Sequence, residues 1–528
     1  MTEAADEPRR LFLSRRKPIL KPESDRFVSF FSTRGESCVT ASQAILRGLA
    51  PDGGLYVPAM FPTVPMHRIS SFCEMDYAGR AVAILKRYLE DFSIPEIEGA
   101  VRAAYAEDRF DTPKIAPIQQ IDDGTWVLEL FHGPTLAFKD MALQLLPHLT
   151  RLSAVKNGEE REVSILVATS GDTGKAALEG FRDVPGTSCT VFYPMEGVSD
   201  VQKLQMVTTG GNNTHVIAVK GNFDDAQTGV KELFSSEEFT RQMNEKGKVL
   251  SSANSINFGR LVPQIVYYFS AYADLVNSNA IAPGDPVNFC VPTGNFGDIL
   301  AGYYAQNMGL PVNKLICASN RNNVLTDFFG NGTYSTHRTF FKTISPSMDI
   351  LVSSNLERLL YEASDRDGAL VSRWMQQLKE SGSYSVGEQR RDWLANTFWA
   401  ECADNKDTLQ EIRKRYEQDH YLMDPHTAVG SFVLGQYRLK THDATPTVLL
   451  STASPYKFAA DVLRGISGAD AAEGKDAFAC SEELEKLTGV PMPAQVRALR
   501  ELPIRHTAVC ERDAMGEAVL NEFTIHNS

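Results

Sequence analysis

The chain has 528 residues, 43% hydrophobic and 23% charged, a profile that excludes a disordered or fibrous protein and leaves room for several domain-sized units. Its 53 Lys and Arg against 66 Asp and Glu give a net charge of −13, and a field of that sign has no general attraction for a nucleic-acid backbone. No apolar run approaches the roughly eighteen residues of a membrane span, so neither nucleic acid nor membrane is an expected partner.

In chain order, residues 1–26 read as a flexible leader of mixed charge without the apolar core of a signal peptide, which makes a cytoplasmic protein the expectation. An N-terminal domain is expected over 27–118. It opens with a helix-like stretch from Ala41 to Leu49, turns at Ala50-Pro-Asp-Gly-Gly54, and shows helical periodicity from Tyr77 to about Tyr105 through Ala81, Ile84, Leu85 and Tyr88. From about Ile115 short apolar runs alternate with helical stretches: 126–130, 163–168, 190–193, 216–219, 287–291, 315–318 and 447–450. That alternation predicts parallel strands with crossover helices, an α/β fold. The expected division of 119–528 is a smaller mobile subdomain at about 150–260 and a larger one from 119–149 with 261–528. Within the larger one, 333–443 reads as a charged, helical insertion, and short helices should close the chain after Gly465.

The eight cysteines are scattered, without a C-x-x-C pair, and the ten histidines show no H-E-x-x-H spacing, so no metal site is expected. Ligands of open α/β sheets sit at the carboxyl ends of strands, which directs attention to the loops there. In Glu129-Leu-Phe-His-Gly-Pro-Thr-Leu-Ala-Phe-Lys-Asp140 a strand runs into a turn, and Lys139 follows among Leu136, Ala137, Phe138 and Met141. Apolar surroundings disfavour an ammonium, so this amine is a candidate nucleophile able to form a Schiff base with a carbonyl cofactor. After the 163–168 run come Thr169, Ser170, Gly171, Asp172 and Thr173, hydroxyls and amides suited to an anion at a helix start. The stretch lacks the first glycine and the Ser or Thr after the lysine of a Walker loop, which argues against an NTPase. After 287–291 come Gly294, Asn295, Phe296, Gly297 and Asp298, where glycines free backbone amides to cradle a phosphate. Asn254, Ser255, Asn257 and Arg260 could recognise a second anion, or simply cap a helix. Thr452, after 447–450, could face a pyridine nitrogen, or simply form a turn.

Together these segments resemble threonine synthase in its fungal and bacterial form, of the pyridoxal-phosphate fold-type II group. The likeness begins at Ala44-Ile-Leu-Arg-Gly-Leu-Ala-Pro-Asp-Gly-Gly-Leu-Tyr-Val-Pro58 and takes in the three loops, Gly221-Asn-Phe-Asp-Asp225, Ser347-Met-Asp-Ile-Leu-Val-Ser-Ser-Asn355 and Asp424-Pro-His-Thr-Ala-Val-Gly430. It implies two open, twisted, mostly parallel sheets flanked by helices, with pyridoxal 5'-phosphate as cofactor. Lys139 matches the Schiff-base lysine, Gly294 to Asp298 the cofactor-phosphate loop, and Thr452 the residue facing the pyridine nitrogen. Thr169 to Thr173 match the loop receiving the substrate amino acid, with Asn254, Asn257 and Arg260 as candidates for its phosphate end. The implied reaction converts O-phospho-L-homoserine and water to L-threonine and phosphate, by γ-elimination and β-addition of water, in a monomer or homodimer. A catabolic phospho-lyase on the same fold is the alternative; it would yield 2-oxobutyrate, phosphate and ammonia from O-phospho-homoserine or O-phospho-threonine. One departure bears on the choice: the family usually reads Ser-Thr-Ala-His-Pro-Ala-Lys-Phe where this chain has Ser454 and Tyr456.

Overall fold

The structure is a computed structural model, and it describes residues 28–169, 171–195, 198 and 200–525. The expected leader at 1–26, and Ser170, lie outside the described residues.

Sixteen strands are present among the described residues. In chain order they are β1 (Phe30–Ser32), β2 (Cys38–Val39), β3 (Tyr56–Pro58), β4 (Ile118–Asp122), β5 (Thr125–Glu129), β6 (Glu162–Ala168), β7 (Thr187–Pro194) and β8 (Thr214–Lys220). There follow β9 (Lys248–Ser251), β10 (Val287–Pro292), β11 (Val312–Ser319), β12 (Thr333–Ser335), β13 (Ser383–Ser385), β14 (Phe398–Cys402), β15 (Thr447–Ser451) and β16 (Ala508–Glu511).

Two sheets dominate. The larger has the order β14-β11-β10-β15-β5-β4, parallel throughout except for β4, which runs antiparallel to β5. The smaller, β16-β8-β7-β6-β9, is entirely parallel. Their central strands, such as Val287-Asn-Phe-Cys-Val-Pro292 in β10, are buried along their whole length, as expected when helices cover both faces. A small antiparallel sheet, β2-β1-β3, packs near the N-terminus. The helix Phe258–Asn277 runs through the core with all but its last turn buried, and carries Arg260, Tyr267 and Tyr268. Among the described residues no helix is long and apolar enough to cross a membrane.

Strand order locates the ligand crevices. In the larger sheet β10 is followed by β11 on one side, while β15 lies on the other. In the smaller, β6 is followed by β7 on one side and flanked by β9 on the other. The loops after β10, β15 and β6 therefore open at topological switch points, where open α/β sheets bind ligands.

The 333–443 stretch is mostly helical, with the β12–β13 hairpin inside it and β14 at the edge of the larger sheet beside β11. One expected boundary needs correction: the end of the chain does not all belong with the larger sheet, because β16 pairs with β8 at the edge of the smaller one. Both β14 and β16 are short edge strands with mixed exposure, whose apolar runs are only three residues long. The helix after β6 starts at Asp172, so Asp172 and Thr173 stand in its first turn and Gly171, with φ +148°, is its cap.

Candidate active site

Lys139 lies on the turn after β5, immediately before the short helix Asp140–Leu143. The turn is stitched to the loop after β15. Ala137 bridges Ala453, the Phe138 amide donates to the Thr452 carbonyl at 2.8 Å, and the Ser454 amide donates to the Leu136 carbonyl at 3.0 Å. Lys139 and the buried Thr452 are thereby held side by side. Asp140 fixes the turn from within: its carboxylate accepts from the Thr135 amide and hydroxyl, each at 2.8 Å.

The Lys139 side chain is 12% exposed, with Nζ 5.1 Å from the Phe138 ring centre and 3.9 Å from Asp172 Oδ2. Burial pulls its pKa down to about 8; the Asp172 carboxylate resists, while Lys457 and Arg260 add to the fall. Burial also opposes the charge on Asp172, but Lys457 and Lys139 outweigh it and hold that carboxyl well below its usual range. Asp172 Oδ1 accepts from Lys457 Nζ at 2.7 Å and from Gln202 Nε2 at 3.1 Å, and Oδ2 from the Ser347 hydroxyl at 3.4 Å. Thr169 shapes the loop before Asp172, its hydroxyl accepting from the Gly171 and Gly174 amides at 3.0 Å each.

The loop after β10 leads into the helix Gly297–Met308, whose first amides have no partner within the helix. Phe296 adopts the left-handed conformation, φ 65°, and its ring packs against Phe329 and Phe398. Asp298 turns its carboxylate toward the core, where Tyr267 donates to it at 2.5 Å and Tyr268 at 3.0 Å. Burial, countered by the two hydroxyls, pushes its pKa up to about 7. What this loop offers an anion is thus backbone amides rather than the side chains of Phe296 and Asp298. Ser347 backs the cradle, and its own amide donates to His426 Nε2 at 3.1 Å while Asp424 accepts from Nδ1 at 2.6 Å. The buried Asn355 donates its backbone and side-chain amides to the Asn295 carbonyl, both at 3.0 Å.

The three candidates for a second anion separate. Asn254 is exposed, and among the described residues its side chain hydrogen-bonds only with Ser255. Asn257 is spent on the fold: it caps the Phe258–Asn277 helix through Gly259 and donates to the Ile45 carbonyl at 2.9 Å. Arg260 differs. It is 3% exposed, donates through Nη1 to the Ala253 carbonyl at 2.7 Å, and has a buried Nε with no partner. No carboxylate pairs with it among the described residues, and burial lowers its pKa to about 10. A buried guanidinium left uncompensated is costly unless an anion arrives.

Lys457, Ser347, His426 and Asn355 escaped sequence reasoning as site residues, although each lies in a quoted motif. The departures at 454 and 456 are less disruptive than they look in sequence. The Tyr456 hydroxyl donates to the Val490 carbonyl, and Ser454 caps the following turn. An amine of lowered basicity, a neighbouring threonine and an amide cradle at a helix start fit the aldehyde, ring nitrogen and phosphate of pyridoxal phosphate.

Comparison with known proteins agrees. The family model for the threonine synthase N terminus matches residues 29–105, that for pyridoxal-phosphate dependent enzymes 111–377, and that for the threonine synthase C-terminal region 427–517. Threonine synthase of Pseudomonas aeruginosa is 42% identical over 81% of this chain and 88% of its own. Human threonine synthase-like 1 is 40% identical over 84% of this chain, which spans only 61% of that relative's length. The crystal structure of PLP-bound threonine synthase from Brucella melitensis superposes with a TM-score of 0.83 at 38% identity, over 94% of this chain and 99% of that one. The yeast threonine synthase structure gives 0.84 at 32%, over 95% and 100%. The chain therefore belongs to the threonine synthase family of pyridoxal-phosphate dependent enzymes.

Proposed function

We propose that this chain is a threonine synthase, converting O-phospho-L-homoserine and water to L-threonine and phosphate with pyridoxal phosphate as cofactor. The observation that carries the reading is the grouping around Lys139: an amine of lowered basicity lies near two separate places that call for an anion. One is the amide cradle at Gly294–Asp298, which suits the cofactor's phosphate. The other is the unpaired guanidinium of Arg260, which suits the substrate's phosphate.

When bound, the cofactor supplies an electron sink for negative charge developing on the substrate's carbon chain. Lys139 would hold the cofactor through its aldehyde, and its amine is the base positioned to take the substrate's Cα proton, a task that suits a pKa near 8. Thr452 would offer its hydroxyl to the cofactor's ring nitrogen, and Thr169 to Thr173 would receive the substrate's carboxylate at the start of the helix. A Cβ proton is then lost as phosphate leaves from Cγ, held by Arg260; Cγ is protonated, water adds at Cβ with release of its proton, and Cα is reprotonated to give threonine. Asp172 belongs to the smaller sheet region, whereas Lys457 and Ser347 belong to the larger, so these contacts support closure of one upon the other to govern when water enters. A cytoplasmic site of action is consistent with eight cysteines that are all free.

The test is Lys139→Ala. Phosphate release from O-phospho-L-homoserine should fall by about a thousandfold or more. Near-normal release in the variant would remove the basis of the reading. Arg260→Met should raise KM for the same substrate while leaving cofactor binding near normal; an unchanged KM would take Arg260 out of the substrate site.

A further inference from the structure

Lys457 has a fully buried side chain and two acceptors for its ammonium, Asp172 Oδ1 at 2.7 Å and the Thr135 carbonyl at 2.9 Å. Thr135 is itself fixed by Asp140, the residue that follows Lys139. Lys457 therefore ties the turn that carries Lys139 to the start of the Asp172–Phe181 helix.

The two oxygens of Asp172 are divided unequally between two amines. Oδ1 is hydrogen-bonded to Lys457 and Gln202; Oδ2 lies 3.9 Å from Lys139, beyond hydrogen-bond distance, and accepts weakly from Ser347. The charged groups facing Lys139 are Asp172, Lys457, Arg260 and Asp140. Asp140 is spent on Thr135, and burial pushes its pKa up to about 6, which weakens it as a counter-ion. Lys457 and Lys139 thus share one firmly ionised carboxylate, while Arg260 is a further cation facing Lys139. Of the two amines, Lys457 is the one with hydrogen-bond acceptors in place, while Lys139 has none within hydrogen-bond distance among the described residues.

We propose that Lys457 is a positioning residue: by taking Asp172 as its own counter-ion it withholds that carboxylate from Lys139, and so leaves Lys139 as the free amine of the pocket. The inference rests on the reading of Lys139 as the reacting amine. It assigns the lysine of the Ser-Thr-Ala-Ser-Pro-Tyr-Lys-Phe segment a task separate from packing. A free amine is the form that can condense with an aldehyde and later accept a proton from carbon.

The test is competitive labelling of the full-length chain, stripped of cofactor, with acetic anhydride across a pH series. Peptide mass spectrometry reads the labelling midpoint of each lysine. In the unaltered chain Lys139 should label with a midpoint below the ordinary lysine value, and an ordinary midpoint would overturn the proposal without any substitution. Lys457→Gln keeps donors for Asp172 and Thr135 but removes the charge, so a purely structural role predicts no change. The proposal predicts that the Lys139 midpoint rises by about one pH unit, because Asp172 is then left to pair with Lys139. Lys457→Arg should restore it. An unmoved midpoint in folded Lys457→Gln would overturn the assignment. The labelling uses no substrate, so its failure is separable from a failure to make threonine.

Discussion

At Gly294 a single missing methyl group keeps two loops together. A Cβ there would stand 2.7 Å from the Ser347 carbonyl oxygen and 3.4 Å from Met348 Cα, both backbone atoms that cannot swing aside. Gly294→Ala should force the cradle and the Ser347 loop apart and weaken pyridoxal phosphate binding by about tenfold or more, equivalent to ~1.4 kcal/mol. Titration of the cofactor's visible absorbance checks this, and an unchanged affinity would contradict the cradle. The same scale shows why some candidates were legible in sequence and others ambiguous. Lys139 announces itself through apolar sequence neighbours, of which Phe138 sets its ring 5.1 Å from the amine. Asn257 and Arg260 are three residues apart and equally polar in sequence, yet Asn257 is consumed by Gly259 and Ile45, and only Arg260 keeps an unpaired group. Lys457 could not be read from its surroundings in sequence, because Asp172 and Thr135 come from distant segments.

Among the elements, the central parallel strands were legible because each carries a short buried apolar run, as in β7 and β10. The edge strands β14 and β16 were not, since partial exposure breaks the pattern. The end of β5 carries a clamp that sequence could not show. His132 Nδ1 lies 2.5 Å from Asp111 and Nε2 2.9 Å from Glu129, and Glu129 also accepts from Tyr421. Burial opposes the imidazolium, but the two carboxylates prevail and raise its pKa from 6.5 to about 9. A raised folded-state pKa contributes stability that is fully present below about 6.5 and lost as pH rises through about 9. Asp111 is half exposed, so the contribution is discounted to about 1–2 kcal/mol. Denaturant unfolding between these pH values should show stability falling in the unaltered chain and a flatter profile in His132→Asn. Parallel profiles would contradict the clamp.

Across the whole molecule, two parallel sheets bring their switch-point loops to one place. The loops after β6 and β15 and the turn after β5 come from widely separated parts of the chain, yet Asp172, Lys457 and Lys139 are connected there by direct contacts, and Ser347, from the stretch after β12, joins Asp172 to the loop after β10. The family resemblance anticipated this gathering from motifs alone. The charge balance within it, two lysines on one carboxylate, required the fold. The chemistry proposed for the site breaks the bond between Cγ and oxygen and places a solvent oxygen on Cβ. The most direct measurement is the reaction of purified protein with O-phospho-L-homoserine in water enriched in heavy oxygen, with mass spectrometry of both products. The account predicts threonine with the heavy atom in its hydroxyl group, and phosphate that leaves with its original oxygens. Formation of 2-oxobutyrate and ammonia would instead make the chain a phospho-lyase, and homoserine with heavy oxygen in the phosphate would mean cleavage at phosphorus; either result would contradict it.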